Sequence, residues 1–124
     1  MSSQPTSHDV IVVGGGAAAV SAIRTAHDAG LDTVLVPGSP SRIDLLHRPF
    51  RIWDGGRELR ARRVVIALGE GPVAAVYRDW LAYDRNGRLI TADDSPRTNV
   101  DGVFAAHDEI AADAGRWLGL ATAA

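Results

Sequence analysis

The chain of 124 residues contains no cysteine, which excludes disulfide exchange, thiolate catalysis and cysteine-based zinc sites within it. It contains no lysine either, because all 13 basic residues are arginine. Schiff-base chemistry therefore has no amine to work with. The histidines His8, His27, His47 and His107 are scattered, with no H-x-H or H-E-x-x-H spacing, so no metal site is expected. No G-x-S-x-G elbow is present, and a serine hydrolase is unsupported. No apolar run approaches the roughly 18 residues that span a bilayer. Residues 1–7 have neither the cationic stretch nor the apolar core of a secretory leader. No membrane association is expected, and the expected compartment is cytoplasmic. Charge of neither sign dominates: 13 basic residues against 15 acidic ones leave a net charge of −2. That balance removes the electrostatic case for nucleic acid as a partner.

What is present is ordinary globular material, 46% hydrophobic and 23% charged, enough for one modest core. The polar residues 1–7 read as a disordered tail and residues 8–124 as a single domain. Residues 10–13 form a β-branched run of the kind found in fully buried strands. Residues 17–29 read as a helix, with Val20, Ile23 and His27 on one face among small alanines and Gly30 as the C-cap. Residues 33–36 are a second buried strand. Strand, glycine turn, helix and strand within about thirty residues make a βαβ unit. Further on, residues 50–53 and 58–62 flank Asp54-Gly55-Gly56 as a β-hairpin. Residues 64–68 and 103–106 read as further buried strands, and residues 73–83 and 110–118 as helices. The predicted fold class is α/β: a reduced Rossmann-like three-layer fold of the FAD/NAD(P)-binding type. Its sheet is mostly parallel, with four or five strands and an attached hairpin. A parallel crossover needs about a dozen residues, and residues 37–42 are too few. The segment 43–45 is therefore either not a parallel third strand or pairs with another subunit. The open sheet edge that follows predicts a homodimer.

The motif with the most chemistry in it is Gly14-Gly15-Gly16-Ala17-Ala18-Ala19, a match to G-x-G-x-x-G/A after a strand and opening a helix. The first glycine permits the tight turn, the second lets backbone approach a pyrophosphate, and Ala19 allows close helix–strand packing. The helix N-terminus presents N–H groups and a partial positive charge to phosphates. The acidic residue that usually holds the ribose at the end of the second strand is missing. Pro37 stands there, and Asp32 precedes the strand.

Three blocks of the sequence resemble the FAD domain of the low-molecular-weight thioredoxin reductases, within the pyridine nucleotide–disulfide oxidoreductases. Residues 8–36 look like the N-terminal dinucleotide-binding unit. Ile43-Asp44-Leu45, Arg48-Pro49-Phe50-Arg51-Ile52 and residues 60–69 look like the stretch ending in that family's Ala-Thr-Gly. Residues 84–108 look like its return segment, with Gly87, Ile90 and Thr98 before Gly102-Val103-Phe104-Ala105-Ala106-His107-Asp108. Only residues 70–83 stand where the family carries an NADPH domain with its redox cysteines. The resemblance thus implies a truncated FAD domain that is not itself a thioredoxin reductase. It implies a site for FAD built from Gly14, Gly15, Gly16, Ala17, Ala18, Ala19, Gly69 and Asp108, and no use of NADPH. Ala67-Leu68-Gly69 replaces Ala-Thr-Gly, and His107 replaces a glycine beside the flavin chain. With Pro37, these changes imply a weakened flavin site.

Two other functions compete with a degenerate flavin- or dinucleotide-binding protein. One is a cofactor-independent cyclase, isomerase or hydrolase that holds a small-molecule ligand in the vacated cleft. His107 and Asp108 would be its catalytic acid–base pair. The other is a non-catalytic subunit of a larger partner enzyme. Arg57, Arg60, Arg62 and Arg63 cluster around the hairpin, as a phosphate or carboxylate site or as a solvated strand face. Trp53, Trp80 and Trp117 read as packing residues.

Overall fold

The structure is a computed structural model and describes residues 5–38, 40–67, 77, 79–83, 85 and 98–106. The elements run β1 (Thr6–Gly14), α1 (Gly16–Asp28), β2 (Thr33–Val36), β3 (Arg42–Asp44), β4 (Phe50–Asp54), β5 (Arg57–Ala67) and β6 (Val103–Ala106). They form one mixed sheet of six strands in the order β2-β1-β5-β4-β3, with β6 also paired to β5. At a coarse level this is the Rossmann-like, FAD-binding type of fold expected from the sequence.

The β-branched run Val10 to Val13 lies in the middle of β1, between β2 and β5, and is fully buried. A strand with partners on both edges and cover on both faces tolerates no polar side chain, hence the unbroken run. Thr6 and Ser7, expected in the tail, instead extend β1 by pairing with Leu59 and Arg60 of β5. The strand outruns its apolar stretch because β5 is long enough to partner it.

β5 corrects the reading most. The segments taken as a hairpin arm and a separate strand are one strand of 11 residues. Its first half pairs antiparallel with β4, Phe50 opposite Ala61 and Asp54 opposite Arg57. Its second half pairs parallel with β6, Val64 beside Val103 and Ala67 beside Ala106. The sequence changes from alternating to continuously apolar where the partner changes, because only the second half is enclosed by parallel strands. β3 pairs antiparallel with β4, Ile43 opposite Ile52. It is thus part of the hairpin system and not a parallel third strand, as the short connection requires.

Two apolar clusters flank the sheet. One joins Ala19, Ala22 and Ala26 of α1 to Val10, Val12, Val65, Ala67 and Phe104. Of the expected helix face only Ile23 packs against this cluster, partly buried; Val20 is 56% exposed, His27 is exposed and the fully buried stripe is alanine. Small side chains let the helix axis approach the strands closely, so α1 docks through its smallest residues. The other cluster joins Ile11, Val13 and Val36 to Ile43, Phe50, Ile52, Leu59, Val64 and Ile66, with Tyr77 and Leu81 packed among them. Of the helix expected over 73–83, the described residues close one turn, with the Trp80 and Leu81 N–H groups donating to the Tyr77 carbonyl. The helix expected over 110–118 lies outside the described residues.

Among the described residues the buried Tyr77 hydroxyl has no hydrogen-bond partner, and desolvation pushes its ionisation well above the ordinary phenol range. An unsatisfied buried hydroxyl costs about 1–3 kcal/mol. Tyr77→Phe is therefore expected to raise stability by about 1 kcal/mol, read as a higher denaturation midpoint. A lowered midpoint would show that the hydroxyl has a partner.

Candidate functional site

The parallel strands β1, β2, β5 and β6 end together. Val13 is level with Val36 and Ile66, Gly14 with Ala67, and Ala67 with Ala106. In an open α/β sheet this carboxyl edge is where ligands bind. The glycine turn emerges there, directly between β1 and α1.

Each glycine of the turn has a different reason to be glycine. Gly14 has φ +119, and a Cβ on it would overlap the backbone carbonyl of Ala67 on β5. It is required by the closeness of β5 as well as by its dihedral. Gly16 has φ +78 with nothing near its absent Cβ, so its requirement is conformational. Gly15 is the N-cap of α1, in extended conformation, with open space around it. No side chain caps the helix, and no acid occupies its first turn. Among the described residues, the first N–H groups of α1 thus have neither of the two usual side-chain partners. Ala19 is buried against β1 and β5, which is the close-packing role expected of that position. Ala17 and Ala18 belong to the first turn of α1.

A phosphate-bearing group fits this arrangement, since two glycines at positive φ open an uncapped helix N-terminus. The ribose end does not have its usual partner: Pro37 follows Val36 at the carboxyl edge and is exposed. Asp32 lies at the other end of β2, where its carboxylate faces His8 Nδ1 at 2.9 Å. Gly69, His107 and Asp108 lie outside the described residues.

The arginine cluster divides. Arg57 pairs with Asp54 at 3.0 Å, and Arg60 Nε donates to Glu58, as a solvated strand face would. Arg62 is exposed. Trp53 stacks under the Arg42 guanidinium, 4.6 Å from ring centroid to charge centre. Trp80 packs on the core, and Trp117 lies outside the described residues. The pairing of His8 with Asp32, 24 residues apart, was missed in the sequence. It follows from the register that sets Val10 beside Thr33, and nothing local signals it. Among the described residues no group of three or more His, Asp or Glu could hold a metal. No helix there is long and apolar enough to cross a membrane.

No family model matches the chain. Stretches of it are similar to curated thioredoxin reductases. That of Rickettsia prowazekii (strain Madrid E) is 44% identical over 45 residues, covering 36% of this chain and 14% of that protein. That of Streptomyces clavuligerus is 43% identical over 54 residues, 44% of this chain and 17% of that protein. That of Pneumocystis jirovecii is 39% identical over 51 residues, 41% and 16% respectively. The chain carries a thioredoxin reductase-related region. The match spans only 14% to 17% of the length of those relatives.

Proposed function

We propose that the chain is a degenerate flavin- or dinucleotide-binding domain of thioredoxin reductase ancestry, with residues 6–124 as one unit and FAD as the ligand. The observation that carries this reading is the glycine turn: Gly14 and Gly16 at positive φ, opening an uncapped helix at the carboxyl edge of the sheet. The similarity to thioredoxin reductases supports the same ancestry.

In this reading the backbone from Gly14 to Ala19 holds the pyrophosphate against the α1 N-terminus, and Gly69 and Asp108 serve the ribityl side. Bound FAD would supply a two-electron acceptor. The turn binds and orients; no described residue is placed to move a proton there. In this reading electrons come from a larger partner enzyme. A third layer over the face of Tyr77 and Leu81 completes the fold, and a second copy pairs with the outer edge of β2. That edge has no partner strand among the described residues.

The test is an absorbance spectrum of the purified protein followed by FAD titration. Saturable binding with a perturbed flavin band is expected, weak because the ribose hydroxyls meet Pro37 instead of a carboxylate. A charge-assisted hydrogen bond contributes about 1.5–3 kcal/mol. Pro37→Glu, which returns the acid, is therefore expected to tighten binding by roughly tenfold or more. No flavin uptake by either protein would overturn the reading.

A further inference from the structure

A second concavity lies at the opposite edge of the sheet, where β1 begins. Its volume is about 410 Å³, and its walls include His8, Asp9, Asp32, Pro49, Arg60 and Arg62. That volume is within the roughly 300–1,000 Å³ typical of small-molecule sites. Gly14 lies six residue steps along β1 from His8, a span of about 20 Å at strand rise. One phosphate therefore cannot touch both this pocket and the glycine turn.

The charges in the pocket are not equivalent. The Asp32 carboxylate faces His8 Nδ1 at 2.9 Å, and His8 Nε2 faces the Thr6 hydroxyl, also at 2.9 Å. The Asp9 carboxylate accepts the Asp32 backbone N–H at 2.8 Å. Both acids are thus engaged within the wall. Arg60 gives its Nε to Glu58, which leaves its terminal nitrogens for another acceptor. The Arg62 guanidinium is exposed and has no partner among the described residues. Arg60 and Arg62 are two apart on β5, so both side chains leave the same side of the strand. Two arginines on one side of β5 that both line one pocket, beside acids already engaged, suit a dianion held through paired N–H groups.

We propose that this pocket is a binding site for a small phosphate monoester, with Arg60 and Arg62 holding the phosphate and the His8–Asp32 pair facing the rest of the molecule. The pocket is independent of the flavin reading and would stand if that reading failed.

The test is an amide and arginine side-chain NMR titration of the full chain with inorganic phosphate, against sodium chloride at matched ionic strength. Saturable shifts are expected at His8, Ala61, Arg62 and the Arg60 and Arg62 Nε–H groups, with none in chloride. Arg62→Gln and Arg60→Gln are each expected to weaken phosphate at least threefold while the remaining spectrum stays folded. Arg62 is exposed, so its substitution removes charge without opening the core, and Arg60→Gln provides a second, separate reading. Shifts that grow without saturating would overturn the proposal. So would an affinity unchanged in both variants, or saturable shifts confined to residues 14–19.

Discussion

Replacing Gly14 with alanine is expected to cost about 3–5 kcal/mol of stability, combining a dihedral at φ +119 that a side chain rarely adopts with overpacking of roughly 1–3 kcal/mol. The overlap is with the Ala67 backbone carbonyl, part of the β1–β5 pairing, so it cannot be relieved by turning a side chain. β1 would have to move away from β5, along the ladder that runs from Thr6 beside Leu59 to Gly14 beside Ala67. Domains of this size have about 5–15 kcal/mol to lose, and the expected fall in Tm is on the order of 15 °C. Gly16→Ala is the control. It shares the positive φ but meets open space, and its expected cost is only about 1–2 kcal/mol. Denaturant unfolding of both variants checks the ordering. Equal costs would mean that β5 does not approach the turn as closely as described, and the reason given for the first glycine of the motif would fail.

Phe50→Ala is expected to cost about 3–5 kcal/mol. Phe50 is 1% exposed and sits where three parts of the fold meet. It pairs with Ala61 across the β4–β5 ladder, its ring carries the Arg48 guanidinium at 5.4 Å, and its edge fills the space beside Gly102. A Cβ on Gly102 would lie 3.0 Å from Phe50 Cε2 and 3.1 Å from the Arg62 carbonyl. Gly102 in turn leads into β6, and its carbonyl accepts the Val64 N–H at 3.0 Å. The ring therefore ties the hairpin to the parallel part of the sheet. A double-mutant cycle makes this specific. Gly102→Ala should cost less in the Phe50→Ala background than in the native chain, by at least about 0.5 kcal/mol, because the ring it would crowd is gone. Additive costs would place the strain at Gly102 wholly in its φ of +91 and the Arg62 carbonyl.

The local parts of the molecule were legible. A β-branched run, three glycines, an alanine-rich stretch and a second β-branched run specify β1, the turn, α1 and β2 through strand burial, positive φ and helix propensity. Each of these acts over a few residues. Asp54-Gly55-Gly56 specified the hairpin in the same way. Pro37 and Asp32 were correctly placed at opposite ends of β2, because a strand of known direction orders its own ends.

What remained hidden was set by pairing between distant segments. No residue near Arg62 or Arg63 announces that β5 runs on from the hairpin into the parallel sheet. Continuity there depends on β4 and β6 sharing one edge of it. The alanine stripe of α1 was passed over for Val20 because hydrophobicity ranks valine higher, whereas the fully buried helix positions facing the sheet are all alanine. The His8–Asp32 pair and the arginine-lined pocket beside it depend on strand register. A shift of one residue would turn every side chain of β1 to the other face. The sequence by itself determined the glycine turn and the elements around it, since their causes are local. The tertiary structure alone decided which partners β5 and β3 take and which charges meet at the start of β1, since those contacts join residues with no local signal of each other.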